Sequence, residues 1–131
     1  MNITVYSRNR LYETFSYWDV PKDFADTIAN YVCWGYEPGS CFTAVLANDF
    51  YGSIQHSHPA NTVNSFKSLA GWINEYCPKE AYGSYTKVKV WCALTADSRR
   101  LILEKNRLVY TEKEEVWMSL KDEHTLAPIL F

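Results

Sequence analysis

Gly35-Tyr36-Glu37-Pro38-Gly39-Ser40-Cys41-Phe42-Thr43-Ala44-Val45-Leu46-Ala47-Asn48-Asp49-Phe50 closes one helix, turns and opens the next. Gly35 is a stop signal, because glycine takes the positive φ that ends a helix. Pro38-Gly39 is a turn dipeptide. Ser40 stands where an N-cap belongs, just ahead of an apolar run. Phe42, Val45, Leu46, Phe50 and Ile54 then recur at helical spacing. Asp49 falls on that stripe, and a carboxylate facing a core requires a partner.

Outward from this stretch the pattern repeats. Pro21 opens a helix over 21–35, with Asp23 and Asp26 suited to the dipole of its first turns and Phe24, Ile28, Tyr31 and Val32 on one face. The second helix is predicted from Ser40 to about Gln55, where His56-Ser57-His58-Pro59 breaks it. A third follows from Pro59 or Asn61 to Tyr76 on the face Val63, Phe66, Leu69, Ala70, Ile73 and Tyr76, with Pro78 beyond it. Gly83-Ser84 starts a fourth, with Val88, Trp91 and Cys92 inward. Short turn-then-cap joints imply an antiparallel bundle over residues 21–95.

The ends read differently. Ile3, Val5, Tyr6, Leu11, Tyr12, Phe15 and Tyr17 are rich in β-branched and aromatic residues, which favours a hairpin over 2–17. A second hairpin is expected where 100–104 and 108–111 flank Lys105-Asn106-Arg107, with helix as the competitor. The predicted class is therefore α+β, mainly α, in a single domain of 131 residues.

Net charge is −2, and between Asp19 and Glu80 three basic residues face seven acidic ones. That middle cannot build a surface that tracks phosphates, so nucleic acid is not the expected partner. No stretch approaches the roughly 20 apolar residues that cross a bilayer. Met1 to Tyr6 lacks a signal peptide's basic start and long apolar run, which predicts a cytoplasmic protein. Cys33, Cys41, Cys77 and Cys92 form no C-x-x-C pair and read as reduced packing thiols. Aromatic residues make up 16%, enough to suggest either a core of large rings or a binding surface. With the apolar stretch Leu126–Phe131, they predict a homo-oligomer.

Residues 30–91 resemble a family of small phage and prophage proteins of unassigned function. The carrying motif is Pro38-Gly39-Ser40-Cys41-Phe42-Thr43-Ala44-Val45-Leu46-Ala47-Asn48-Asp49-Phe50. Asn61, Asn74 with Pro78, Gly83-Ser84 and Trp91 fall at corresponding places. The chain departs at Ser57-His58, where the family has Ala-Asp, and at Tyr82, where it has Trp. The resemblance implies a helical middle and a phage setting, with no chemistry attached.

Five features are candidate sites, each with a plainer reading. Asn48-Asp49 is either a polar ligand pair or a structural acceptor for a helix start near Ser84 or Asn61, and the structural reading is favoured. His56 and His58, which with Asp49 would be metal ligands, lack a metal-binding spacing and read as surface residues. Cys41 sits where a thiol can be activated, yet no histidine partner is evident. The helix starts at Gly39-Ser40 and Gly83-Ser84 offer backbone donors to an anion, but the serines satisfy the same donors. Tyr12, Trp18, Trp34, Tyr36, Tyr51, Trp72, Tyr82, Tyr85 and Trp117 fall outside the assigned faces, to be covered by the end segments, by another copy or by a ligand.

The resulting expectation is a non-enzymatic phage accessory protein that acts by binding, without a cofactor or metal. In a phage setting the task is counter-defence by sequestering a nucleotide signal. The alternative is direct inhibition of a host protein, and a small hydrolase using Asp49 and the histidines comes third. A nucleotide site would draw on Arg8, Arg10, Tyr12, Arg99, Arg100, Arg107 and Tyr110. Arginine grips phosphate oxygens in pairs and tyrosine stacks a base. Pro38, Gly39, Ser40, Asn48 and Asp49 are assigned as structural motif. Convergence of the arginines on a pocket favours a nucleotide, and a flat spread favours a protein.

Overall fold

The computed structural model describes residues 8–105, and for residues 8–10 the backbone alone. Among these residues there are seven α-helices and no strand. They are α1 (Arg8–Tyr17), α2 (Lys22–Trp34), α3 (Ser40–Leu46), α4 (Phe50–Gln55), α5 (Val63–Tyr76), α6 (Tyr85–Ala93) and α7 (Ala96–Lys105). A single 3₁₀ turn, Lys79–Ala81, joins α5 to α6.

The expected terminal hairpins are therefore corrected. Residues 8–17 form a helix because Leu11 and Phe15 share one face and both are buried. Phe15 stacks on Trp72 of α5 at 4.3 Å between ring centroids. Thr14, also buried, accepts the Trp72 indole N–H at 2.9 Å. Tertiary packing on Trp72 thus overrides the strand preference of the β-branched and aromatic residues. In the same way residues 100–104, expected as a hairpin arm, belong to α7, whose Leu103 is fully buried against the core. The proposed partner strand at 108–111, the leading strand at 3–6 and the apolar stretch 126–131 lie outside the described residues.

The helical middle follows its punctuation closely. Pro21 immediately precedes α2, and Gly35 ends it in the left-handed region at φ 70°. Thr62 caps α5 and Ser84 caps α6, each accepting a backbone N–H three residues on. Some boundaries differ. α5 starts at Val63 rather than at Pro59 or Asn61. The helix expected over 40–55 is two helices, α3 and α4, separated at Asn48, which takes φ 63°. Gly39 rather than Ser40 occupies the cap position of α3.

Trp72, Trp91, Tyr31, Ile28, Leu46 and Leu69 are the fully buried centre on which α1, α2, α3, α5 and α6 converge. At this centre Trp72, Trp91 and Tyr31 keep their polar atoms hydrogen-bonded. The Trp91 indole donates to the Tyr31 carbonyl at 3.0 Å, and the Tyr31 hydroxyl donates to the Ala81 carbonyl at 2.6 Å. Burial raises the Tyr31 hydroxyl well above its ordinary range, so it remains a donor.

Candidate functional site

The turn at Pro38-Gly39 places α3 beside α6 and leaves a groove of about 840 Å³ between them. Gly39 adopts φ 86°, a conformation that non-glycine residues rarely enter. The floor is apolar: Pro38, Val88 and Cys92, with the exposed Ala93 at its edge. The rim is polar: Glu37, Ser40, Thr43, His56, Tyr85 and Lys89. With Gly39 holding the cap position, the Ser40 hydroxyl is not used as a cap. Tyr85, Lys89, Cys92 and Ala93 stand at i, i+4, i+7 and i+8, so one stripe of α6 lines the groove while Trp91 points into the core.

Asp49 anchors one wall. Its Oδ1 accepts the Gly52 N–H at 2.9 Å and thereby caps α4. Its Oδ2 accepts the Tyr85 hydroxyl at 2.5 Å. The carboxylate thus ties the α3–α4 turn to the first residue of α6. The Tyr85 bond, then the Gly52 bond, hold the Asp49 carboxyl below its ordinary range, and His56 adds to the effect. The same bond raises the Tyr85 hydroxyl. Asp49 therefore caps the start of α4, not a helix start at Ser84 or Asn61.

The thiols divide by depth. Cys33 and Cys77 are buried. Cys41 is half-buried, with its Sγ donating to the Ser53 carbonyl at 3.5 Å, and burial raises its thiol. Cys92 opens onto the groove, and burial, then the Glu37 carboxylate, raise its thiol. Neither exposed-side thiol has the lowered range of a nucleophile. His58 accepts the Ala60 N–H at 3.0 Å within its own turn. Among the described residues no group of His, Cys, Asp and Glu is arranged to hold a metal ion.

Among the described residues, the three expected to grip a nucleotide, Tyr12, Arg99 and Arg100, are engaged separately and none lines the groove. Arg99 is 4% exposed, and its Nη2 donates to the Trp91 carbonyl at 3.0 Å and the Leu94 carbonyl at 2.8 Å. Arg100 pairs with Glu104 at 3.2 Å along α7. The Tyr12 hydroxyl donates to Asp26, which also pairs with Lys22 at 3.2 Å. Arg8 and Arg10 belong to the first turn of α1, and their side chains, like Arg107 and Tyr110, lie outside the described residues. The aromatics outside the assigned faces also divide. Trp72 is core, covered by α1, whereas Tyr51 is 75% exposed beside Phe50 at 74%.

Sequence reasoning missed the groove, since Glu37, Thr43 and Tyr85 meet only through tertiary packing. The signal that was present is the polar second stripe of α6, Tyr85 and Lys89, beside the inward Val88 and Trp91. Comparisons with protein-family models, curated proteins and solved structures give no match.

Proposed function

We propose that the protein acts by binding a protein partner, with the groove between α3 and α6 as the place where a segment of that partner lies. In the phage setting implied by the motif, the partner is a host protein. The observation that carries this reading is the groove itself, an apolar floor under a mixed polar rim. Its volume is within the roughly 300–1,000 Å³ of sites that enclose small ligands, which also suits a few residues of peptide. Among the described residues Lys89 is the single Lys or Arg on its lining, and Glu37 shares the rim. A phosphate brought within 4 Å of a carboxylate is repelled by about 1 kcal/mol in bulk water and about 4 kcal/mol at an effective dielectric of 20. A nucleotide with several phosphates is therefore poorly matched to this site. Sequestration of a nucleotide would instead draw on Arg8, Arg10, Arg107 and Tyr110.

Selection of random octapeptides on the purified protein tests the reading. Enriched peptides are expected to bind with micromolar Kd and to lose at least tenfold in affinity with Ala93→Trp, which fills the groove from an exposed position. Calorimetry with cyclic and linear adenine nucleotides is expected to give no heat at millimolar concentration. Nucleotide binding, or peptides indifferent to Ala93→Trp, would overturn the proposal. The homo-oligomer expected from the aromatic content belongs to the same proposal, with the exposed Phe50, Tyr51 and Ile54 of α4 as the face available to a second copy. A monomer alone in light scattering at micromolar concentration would remove that part.

A further inference from the structure

Glu37 and Lys89 stand on the rim of one groove, and among the described residues neither has an ion pair or a hydrogen bond from its side chain. This is unlike the other charges close by. Asp49 is committed to Gly52 and Tyr85, Lys87 donates to the Lys79 carbonyl, and Arg99 is committed to the end of α6. Among the described residues the groove therefore offers one anion and one cation, unspent, beside the apolar Val88, Cys92 and Ala93. Ser40, Thr43 and His56 add hydrogen-bonding groups to the rim that carry no side-chain bond within the described residues.

Charge balance then selects among occupants. A polyanion meets Glu37, and a polycation meets Lys89. A wholly apolar segment would leave both charges partly desolvated and unpaired, which costs free energy on every contact that excludes water. A segment carrying both signs pairs each charge as it covers the floor. Resting on the proposal that the groove takes a peptide, we infer that it is selective for a short segment of a partner protein with a basic side chain set against Glu37 and an acidic side chain or terminal carboxylate set against Lys89. Apolar side chains between them lie on Val88 and Ala93. The two charges fix register and direction, since reversing the segment puts like charges together.

The test is selection from a random octapeptide library on four proteins: the natural chain, E37K, K89E and Ala93→Trp. Glu37 and Lys89 are exposed, so neither substitution disturbs the core. The natural chain is expected to enrich peptides with one basic and one acidic residue in a constant order and separation. E37K is expected to lose the basic preference and K89E the acidic one. A selected peptide should weaken at least tenfold on E37K, and a version with that basic residue made acidic should recover most of the loss. Binding should also weaken with rising salt, because rim charges are screened beyond about 8–10 Å at physiological ionic strength. Peptides lost with Ala93→Trp but unchanged in composition by E37K and K89E would overturn the charge selectivity and leave the groove as the binding site. Failure to enrich any peptide sensitive to Ala93→Trp would overturn both.

Discussion

Arg99 is a buried cation with no carboxylate against it among the described residues, and two helix ends explain how it is kept there. Its Nη2 takes the Trp91 and Leu94 carbonyls at the end of α6. Its guanidinium also lies where α2 stops, so close that a Cβ on Gly35 would sit 2.2 Å from Nη2. Carbonyl-rich helix ends favour a positive charge. Arg99→Ala is expected to cost about 2–4 kcal/mol, the loss of two charge-assisted bonds, and a thermal melt reads it. Gly35→Ala should lower the melting temperature too, by the left-handed backbone and by displacing the guanidinium. Asp49 and Tyr85 make a second prediction, in pH. Asp49 is lowered in the fold, so its contribution is present above the unfolded value of about 3.9 and is lost as pH falls through the lower folded value. Tyr85 is raised, so its contribution is present below about 10 and is lost as pH rises through the higher folded value. The gap in melting temperature between the natural chain and Tyr85→Phe should therefore be constant from about pH 5 to 9 and close outside that window. A gap that does not change at either end would mean the bond adds nothing to the fold.

At the scale of elements, the caps and stops were legible and the ends were not. Gly35 and Ser84 act locally, so the sequence displays them. The break between α3 and α4 was also written, in Asn48 and Asp49, an asparagine that tolerates φ 63° followed by a capping aspartate. It was hidden because Phe50 and Ile54 continue the apolar spacing of α3, although both are exposed. The identity of α1 depends on a contact 57 positions away, Phe15 on Trp72, which no local pattern carries. The closeness of α1's end to α5 supplies a prediction. Alanine is a better helix former than glycine by about 1 kcal/mol, so Gly71→Ala in α5 would ordinarily stabilise. Here the new Cβ meets the Trp18 ring at 2.6 Å. Gly71→Ala is expected to lower the melting temperature, and Trp18→Ala with Gly71→Ala to show a smaller loss than the two single changes added together. Additivity within 0.3–0.5 kcal/mol, the usual scatter for independent sites, would refute the contact.

Across the whole molecule, the groove makes Cys92 a reporter of its own environment. Four thiols sit at different depths, and two of them, Cys33 and Cys77, are sealed in the core. Cys41 is half-buried at the start of α3, away from the groove lining, and Cys92 is on the groove floor. Both thiols are raised above the usual range, so iodoacetamide should react slowly at neutral pH and faster as pH rises past the usual thiol value of about 8.5. Mass spectrometry of the native protein should find Cys41 and Cys92 labelled before Cys33 and Cys77. Ala93→Trp should then slow Cys92 while leaving Cys41 unchanged, because the indole fills only the space over α6. Alkylated Cys92 puts bulk on the floor between Val88 and Ala93, so a protein labelled there should lose the peptides that the unlabelled protein selects. If labelled Cys92 leaves that binding intact, the segment does not lie on the floor of the groove and the contact must be carried by another face.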